Sequence, residues 1–323
     1  MPKPLMCPES LLARDLSGKT YVVTGANSGI GLVTVGQLAK QGATVILACR
    51  RTAEGEKAKA ALGPTRGRVE VMALDLADLA SVRAFSAEII ARYARLDGLV
   101  NNAGVMNTEK GTTKDGFETQ LGVNHLGHFL LTELLLPTLQ ASAPARVVNL
   151  SSCYHDQAMG REGVIDFDDL HFRSRPYDGW TSYAQSKLAN VLYACELASR
   201  VGASGVTAVS VHPGWVRTNL IRNSMPTFVQ DWILRPIFML SGMIEPWEGA
   251  QTTLYALLED EVTKNNGAYF SQTGNYRDKA ANKGGWPLRS PNPHAHDLDA
   301  ARRLTDVSRQ LVGLEVRSAA AAS

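Results

Sequence analysis

The sequence predicts an α/β fold with one doubly wound parallel sheet that carries helices on both faces. From residue 20 onward, short β-branched runs alternate with longer helical patterns, which is typical of that fold. The runs are mostly continuously apolar rather than alternating, as expected of parallel strands that are covered on both sides. The candidate strands are residues 21–23, 44–48, 69–74, 99–101, 146–150, 206–211 and 267–270.

The helical patterns between these strands cover residues 30–41, 79–93, 116–139 and 183–201, and Asp78 is placed to cap the second of them. Residues 153–181 and 271–298 lack periodicity. We expect the first segment to be an insertion beside the site and the second, which is polar and rich in proline and glycine, to be a surface excursion. The predicted organisation is an N-terminal extension (1–17), a single Rossmann-type domain (18–315) and a low-complexity, disordered tail (316–323).

Composition excludes several classes of protein. The 323 residues are 45% apolar and 20% charged, close to the averages for globular domains. A net charge of +2 provides no field that would attract nucleic acid. Four scattered cysteines without a C-x-x-C pair argue against zinc ribbons and disulfide scaffolds and favour a reducing compartment. Because no apolar run is long enough for a signal peptide or a membrane span, we expect a cytoplasmic protein.

A glycine-rich turn, residues 24–31, follows the first strand and opens the first helix. Its G-x-x-x-G-x-G spacing allows the backbone to approach a pyrophosphate, and the helix N-terminus supplies free N–H groups. Such a turn could equally be a tight strand–helix loop, but the strand before it and the helix after it favour a dinucleotide site. The candidate cofactor-binding residues here are Gly25, Asn27, Ser28, Gly29, Ile30 and Gly31.

The end of the second strand bears on the choice of cofactor. NAD enzymes usually place Asp or Glu there to bind the ribose. This chain instead has Arg50 and Arg51, and no carboxylate before Glu54. The arginines could simply be solvated, but an arginine at this position can bind a 2′-phosphate. The missing acid therefore favours NADP(H).

Tyr183 is the only tyrosine that has a lysine four residues on, Lys187. At that spacing the two side chains share one face of a helix. A free tyrosine has a pKa of about 10. We expect the lysine cation, together with an oxidised nicotinamide, to lower the pKa of Tyr183 into the range useful for acid–base catalysis.

Three further polar residues are candidates. Ser152 follows the fifth strand at the carboxyl edge of the sheet, where its hydroxyl could hold a carbonyl oxygen or merely cap the strand. Asn124 lies in a helical run although asparagine is a mediocre helix former, which predicts a structural reason for it. His125 and His128 are spaced like a metal pair, but no third ligand is evident, so we expect no metal site.

Taken together, these motifs resemble the short-chain dehydrogenase/reductase family over about residues 18–270. The residues that carry the resemblance are Thr24–Gly31, Asp75-Leu76, Asn101–Gly104, Asn124, Ser152, Tyr183-x-x-x-Lys187 and Pro213-Gly214. The resemblance implies a catalytic tetrad of Asn124, Ser152, Tyr183 and Lys187, with Lys187 also holding the nicotinamide ribose. It also implies contacts of Asp75, and of its neighbour Leu76, with the adenine side of the cofactor. Beside the ribose it places Asn102, Ala103 and Gly104, and beside the nicotinamide amide Pro213, Gly214, Val216 and Thr218.

Residues 47–50, 124–131 and 182–190 resemble the branch that contains retinol dehydrogenases and WW-domain oxidoreductases. Light-dependent protochlorophyllide reductases share the 124–128 stretch, but they usually have a cysteine where Asn101 stands. Many retinol dehydrogenases carry an N-terminal membrane anchor, whereas we expect none from this sequence. The segment between Ser152 and Tyr183 is longer than in compact members. In carbonyl reductases an insertion there blocks tetramer formation, so we expect a monomer or homodimer.

The family places its substrate lid at about residues 219–247, and residues 225–247 are strongly apolar here. This stretch could pack on the core as a helix, or it could close over a lipophilic retinoid, steroid, polyketide or aromatic ketone. It could also rest on a membrane surface. A hydrolase built on Ser152, His155 and Asp156 lacks the G-x-S-x-G elbow. A non-catalytic NADP(H) sensor could have lost the tyrosine, whereas this chain retains the whole tetrad. The sequence therefore predicts an NADP(H)-dependent oxidoreductase for a lipophilic carbonyl or alcohol.

Overall fold

A computed structural model describes residues 3–158, 160–216 and 243–316. Seven strands form one sheet in the spatial order β3-β2-β1-β4-β5-β8-β9, and every neighbouring pair is parallel. These strands are Thr20–Thr24 (β1), Thr44–Cys49 (β2), Arg68–Ala73 (β3), Gly98–Asn101 (β4), Ala145–Leu150 (β5), Val206–His212 (β8) and Tyr269–Ser271 (β9), with the short hairpin Gln157–Ala158 (β6) and Arg161–Glu162 (β7) outside the sheet. The predicted fold is confirmed, and the strand order reverses between β1 and β4, where such folds bind ligands.

Helices cover both faces of the sheet, so the continuously apolar strands are buried on both sides. The α-helices are Glu9–Leu12 (α1), Gly29–Lys40 (α2), Thr52–Ala61 (α3), Leu79–Arg92 (α4), Thr119–Leu121 (α5), Gly127–Ala141 (α6), Gly179–Val201 (α7), Pro246–Leu258 (α8) and Leu298–Leu311 (α9), with a π-helix at Gly122–Leu126. The 3-10 helices are Cys153–His155, Gly202–Ser204, Asp260–Asn265, Ala281–Lys283 and Pro293–His296. Of the residues that the structure covers, no helix is both long and apolar enough to cross a bilayer.

The structure departs from the predicted helices in informative ways. The single helix predicted for residues 116–139 is divided into α5, the π-helix and α6, and α7 begins at Gly179 rather than at residue 183. Helices α1, α3, α8 and α9 were not predicted. The last two residues of the predicted lid, 219–247, belong to α8. Residues 219–242 and most of the predicted tail lie outside the described residues.

Both ends of the described chain pack on the sheet domain. In the extension predicted for residues 1–17, Cys7, Leu11 and Leu16 are buried, and the Cys7 backbone N–H donates to Gln251 Oε1 at 3.0 Å. The segment 271–298, predicted to be a surface excursion, has many exposed residues but is anchored to the domain at several points. Four of its polar side chains are buried, those of Ser271, Gln272, Ser290 and Asn292. Hydrogen bonds to distant segments, rather than periodic apolar packing, hold them there.

Candidate active site

The predicted tetrad meets at the carboxyl edge of the sheet. Asn124, Ser152, Tyr183 and Lys187 are all buried. The Ser152 hydroxyl is close enough to the Tyr183 phenol to lower its pKa, and Lys187 Nζ lies 5.6 Å from the centre of the Tyr183 ring. A second serine, Ser186, accepts a hydrogen bond from Asn124 Nδ2 at 3.0 Å. The structure therefore assembles residues that are up to 63 positions apart, from Asn124 to Lys187.

Helix α7 presents Tyr183 and Lys187 because it is fixed to the end of β5. Lys187 Nζ donates to the Leu150 carbonyl oxygen at 3.1 Å, and Asn190 Nδ2 donates to the same oxygen at 2.9 Å. The Ser151 hydroxyl in turn donates to the Lys187 carbonyl at 2.8 Å. These bonds hold one turn of α7 against the strand that carries the serine pair, so the phenol and the ammonium face the same cleft.

Asn124 has the structural reason that its presence in a helix predicts. It lies in the π-helix, a conformation that is frequent at functional sites. Its amide clamps the loop after β4, because Nδ2 donates to the Val105 carbonyl at 2.9 Å and Oδ1 accepts from the Val105 N–H at 2.8 Å. A β-carbon placed on Gly104 would lie 3.1 Å from Asn124 Oδ1 and 3.5 Å from Lys187 Nζ. Asn124 therefore acts on the shape of the site, with the cofactor loop directly beside it.

Burial dominates the electrostatics of Tyr183 in the protein without cofactor. It raises the pKa of the phenol above its usual value, and the Ser152 hydroxyl lowers it by less. Burial also lowers the pKa of Lys187 to about 8. The lowering of the Tyr183 pKa that was predicted for the lysine together with an oxidised nicotinamide stays a prediction. The neutral phenol, which is a proton donor, is the resting form.

The glycine-rich turn packs closely against the loop after β4. Gly25 and Gly29 have φ angles of 62° and 57°, a region that disfavours other residues. A β-carbon on Gly25 would lie 2.8 Å from Ala103 Cα, and one on Gly31 would lie 2.6 Å from Asn102 Nδ2. Ser28 is the N-cap of α2, but its side chain makes no capping hydrogen bond. The backbone N–H groups in the first turn of α2, which includes Ile30 and follows Asn27 and Ser28, therefore have no side-chain cap.

The loop after β4 is joined to this turn. The backbone N–H groups of Asn102 and Ala103 donate to Thr24 Oγ1 at 2.9 and 3.0 Å. Asn102 Nδ2 also donates to the Thr24 carbonyl at 2.7 Å. The predicted cofactor residues Asn102, Ala103 and Gly104 thus lie between the glycine-rich turn and the tetrad, along the path that a dinucleotide would follow.

The remaining predicted cofactor residues border the same edge of the sheet. Arg50 and Arg51 are exposed after β2, and neither forms an ion pair with any residue that the structure describes. The Asp75 carboxylate, after β3, accepts the Ala77 N–H at 2.9 Å. The other predicted positions are Leu76, which is buried, Pro213, Gly214 with a φ of 92°, and Val216, which pairs with Ile244. Thr218 lies outside the described residues.

Sequence reasoning missed two aromatic residues at the site. The rings of Tyr154 and Trp180 lie 6.1 and 6.4 Å from the ring of Tyr183 and 5.3 Å from each other. Both are half-buried and belong to the segment without periodicity. The available signal was their position, since one follows Ser152 by two residues and the other precedes Tyr183 by three.

The residues considered for a hydrolytic triad and for a metal site make other contacts. His155 Nδ1 donates to the Ser152 carbonyl at 2.5 Å rather than to its hydroxyl, and Asp156 pairs with Arg277 at 2.9 Å, so no hydrolytic triad forms. His125 and His128 each bond to a hydroxyl. Over residues 3–158, 160–216 and 243–316, no three His, Cys, Asp or Glu side chains are grouped as metal ligands.

A doubly wound sheet with a serine–tyrosine–lysine cluster at its carboxyl edge defines the class of the protein, a Rossmann-type oxidoreductase. The family model for short chain dehydrogenases matches residues 19–164. The chain is 45% identical to human Retinol dehydrogenase 13, over 97% of this chain and 89% of that protein. It is 44% identical to Dehydrogenase/reductase SDR family member 13 of Bos taurus, over 93% and 74% of the two chains.

The chain belongs to the short-chain dehydrogenase/reductase family, in the branch that contains retinol dehydrogenases. It is an oxidoreductase that acts on CH–OH groups. A crystal structure of an uncharacterised Mycobacterium paratuberculosis protein is 37% identical, with a TM-score of 0.73 over 95% of this chain and 97% of that one. The NADH complex of a 3-ketoacyl-(acyl-carrier-protein) reductase from Brucella melitensis, at 21% identity and a TM-score of 0.61 over 80% and 97%, shares the fold.

Proposed function

We propose that the protein is an NADP(H)-dependent oxidoreductase that interconverts a carbonyl and an alcohol on a lipophilic substrate, with Tyr183 as general acid and base. The observation that carries the proposal is the buried Tyr183 phenol, which lies beside the Ser152 hydroxyl and the Lys187 ammonium. The glycine turn supports a dinucleotide cofactor, because the N–H groups that open α2 have no side-chain cap and are available to a pyrophosphate.

The chemistry follows from these positions. A bound nicotinamide supplies or accepts the hydride. In reduction, Tyr183 donates its proton to the carbonyl oxygen, and in oxidation the phenolate takes a proton from the alcohol. The Ser152 hydroxyl donates to the same oxygen and stabilises the negative charge that develops there. The Lys187 ammonium and the positive charge of an oxidised nicotinamide both favour phenolate, which offsets the effect of burial.

Replacing the phenol tests the role of Tyr183. Oxidation of NADPH, followed at 340 nm with a panel of ketones and aldehydes, should fall by about 100-fold or more in Tyr183→Phe because the general acid is gone. Coenzyme binding, measured by fluorescence titration, should stay unchanged. Equal turnover by both proteins would contradict the assignment. Absence of turnover in wild type that still binds NADPH would support the alternative function, a non-catalytic NADP(H) sensor or scaffold.

Arg50 and Arg51 support the preference for NADP(H), because they stand unpaired among the described residues at the position where a 2′-phosphate would lie. Wild type should bind NADPH at least about 10-fold more tightly than NADH, and Arg50→Ala should reduce that ratio by about 10-fold. Arg302→Ala, which removes an arginine of α9, is the control and should leave the ratio unchanged. If NADH binds as tightly as NADPH in wild type, the preference is wrong.

The aromatic rings of Tyr154 and Trp180 support a bulky lipophilic substrate, as do the names of the retinol dehydrogenases that the chain resembles. A panel that contains a retinoid, a steroid, an aromatic ketone and a short aliphatic aldehyde would test this class. Equal KM values for all four compounds would contradict it. The cytoplasmic localisation, the monomeric or homodimeric state and the contact of the predicted lid, about residues 219–247, with a membrane stay predictions.

A further inference from the structure

His128 connects the glycine-rich turn to the catalytic asparagine. It lies in the first turn of α6 with its imidazole almost completely buried, and each ring nitrogen has a partner. Nε2 lies 2.8 Å from Thr24 Oγ1, at the end of β1, and Nδ1 lies 3.1 Å from the Asn124 carbonyl oxygen in the π-helix. One side chain thus spans the two halves of the site.

The partners determine the direction of this chain of hydrogen bonds. A carbonyl oxygen can only accept, so Nδ1 carries the proton and donates to Asn124. Nε2 must then accept, and the Thr24 hydroxyl donates to it at 2.8 Å rather than to the Val100 carbonyl, which lies farther away at 3.4 Å. The same hydroxyl oxygen accepts the N–H groups of Asn102 and Ala103. A single directed path therefore runs from the loop after β4, through Thr24 and the imidazole, to the backbone of Asn124.

Burial lowers the pKa of His128 to about 3, so the ring is neutral at any working pH. The neutral ring has one donor and one acceptor, which are the two roles that its partners require. This path joins the glycine-rich turn and the loop after β4, which were both assigned above to the dinucleotide. It ends in the π-helix, which carries Asn124, whose side chain bonds to Val105 beside the tetrad. A shift at Thr24 would therefore be passed to Asn124 through one rigid ring.

We propose that His128 is a positioning residue. It holds the cofactor loops, which are the glycine-rich turn (residues 24–31) and the loop after β4 (residues 101–105), in a fixed position relative to Asn124. The consequence for catalysis rests on the function proposed above, whereas the mechanical link does not need a bound cofactor. Loss of the link should loosen residues 24–31 and 101–105 in the free protein. It should also weaken coenzyme binding and lower kcat, because both loops move relative to the tetrad.

His125 provides a matched control three residues earlier. It is equally buried, and its Nε2 bonds to the Ser308 hydroxyl of α9 at 2.9 Å, away from the cofactor loops. Its ring also packs against Phe129 and Tyr193. Leucine at either position replaces an almost completely buried histidine, so a general loss of packing should appear in both variants. Only His128→Leu should also loosen the cofactor loops relative to Asn124.

Hydrogen exchange of the free proteins, followed by mass spectrometry, tests the link first. In His128→Leu, peptides that contain residues 24–31 and 101–105 should exchange at least about 10-fold faster than in wild type, whereas in His125→Leu they should not change. Unchanged exchange in His128→Leu, or the same acceleration in both variants, would overturn the proposal. This result does not depend on whether the protein binds a nicotinamide cofactor.

Kinetics then tests the consequence. His128→Leu should raise the Kd for NADPH and lower kcat, each by about 10-fold, and His125→Leu should change neither by more than about twofold. His128→Gln can still accept the Thr24 hydroxyl but cannot reach Asn124, so it should recover the Kd and not kcat. If His128→Leu does not fold, the glutamine variant alone decides, and wild-type values for both constants would overturn the proposal. Failure of wild type to bind NADPH or NADH would instead contradict the proposed function.

Discussion

The cofactor side of the site and the C-terminal side are built by different physical means. The cofactor side, strands β1 to β4 with their loops, is determined by backbone conformation, as at Gly25, where φ is positive and a β-carbon has no room. The C-terminal side, residues 271–311, supports Ser152 through buried side chains that are far from it in sequence. The first kind of construction leaves local motifs in the sequence, and the second does not.

The C-terminal side reaches Ser152 through His155. The imidazole donates from Nδ1 to the Ser152 carbonyl at 2.5 Å and accepts the Ser290 hydroxyl at Nε2, at 2.6 Å. Asn292 Nδ2 donates to the His155 carbonyl at 2.6 Å and to the Gly163 carbonyl at 2.9 Å. The segment 271–298 thus supports the backbone of Ser152 through His155. Its contribution can be measured separately from that of the cofactor side.

The largest effect is expected at Lys187, where the two sides meet. Burial lowers its pKa from 10.5 to about 8, so the charged form costs the folded protein about 3 kcal/mol. Between these two values the unfolded chain binds more protons, so the stability of wild type should rise with pH through this window. Lys187→Met should be more stable than wild type by up to about 3 kcal/mol below pH 8, and this advantage should shrink as the pH approaches 10.5.

Urea denaturation of both proteins at several pH values measures the effect. The Leu150 carbonyl keeps a partner in the variant, because Asn190 Nδ2 also donates to it. A difference in unfolding free energy that is constant between pH 7 and 10.5 would show that the ammonium is not destabilised by burial, and the electrostatic account of the site would be wrong.

The next effect is expected at Gly25, on the cofactor side. Gly25→Ala should raise the Kd for NADPH by about 100-fold, because the new β-carbon would lie 2.8 Å from Ala103 Cα and must displace one of the two loops. Gly63→Ala is the control. Gly63 has a similar φ of 68° but no atom within 4 Å of the added carbon, so it shares the backbone strain without the collision.

Isothermal titration with NADPH distinguishes the two glycine variants. Both should lose about 1 kcal/mol of stability from the backbone strain, and only Gly25→Ala should lose affinity. Equal Kd values in the two variants would mean that the turn can move freely away from the loop after β4.

These contrasts explain what the sequence could predict. All seven strands of the sheet and the positions of the tetrad were predicted, because parallel strands buried on both faces and glycine-rich turns leave local patterns. Helix α3 was missed because only Gly55 and Ala58 are buried on it, so its apolar periodicity is weak. Helix α9 does carry an apolar stripe, with Ala301 and Leu304 buried, and this signal was available.

Other features could not be predicted from local patterns. The bond between His155 and Ser290 joins residues 135 positions apart, and no periodicity indicates such a contact. The Asn124 side chain, in the π-helix, makes two hydrogen bonds to Val105, which lies 19 residues earlier, and no periodicity indicates them. The raised pKa of Tyr183 depends on how much of the phenol is buried, which is a property of the assembled fold.

The smallest effect is expected at Ser290, on the C-terminal side. Ser290→Ala removes the hydroxyl that bonds to His155 Nε2, so the imidazole that holds the Ser152 carbonyl loses its outer support. We expect kcat to fall about fivefold with the Kd for NADPH unchanged, since the bonds from Ser290 through His155 act on Ser152 and not on the cofactor loops. Ser308→Ala removes the hydroxyl that bonds to His125. Both serine variants should lower the thermal midpoint of unfolding by a few degrees, but Ser308→Ala should leave kcat unchanged. If both serine variants lower kcat equally, the segment 271–311 supports the whole domain rather than the catalytic serine.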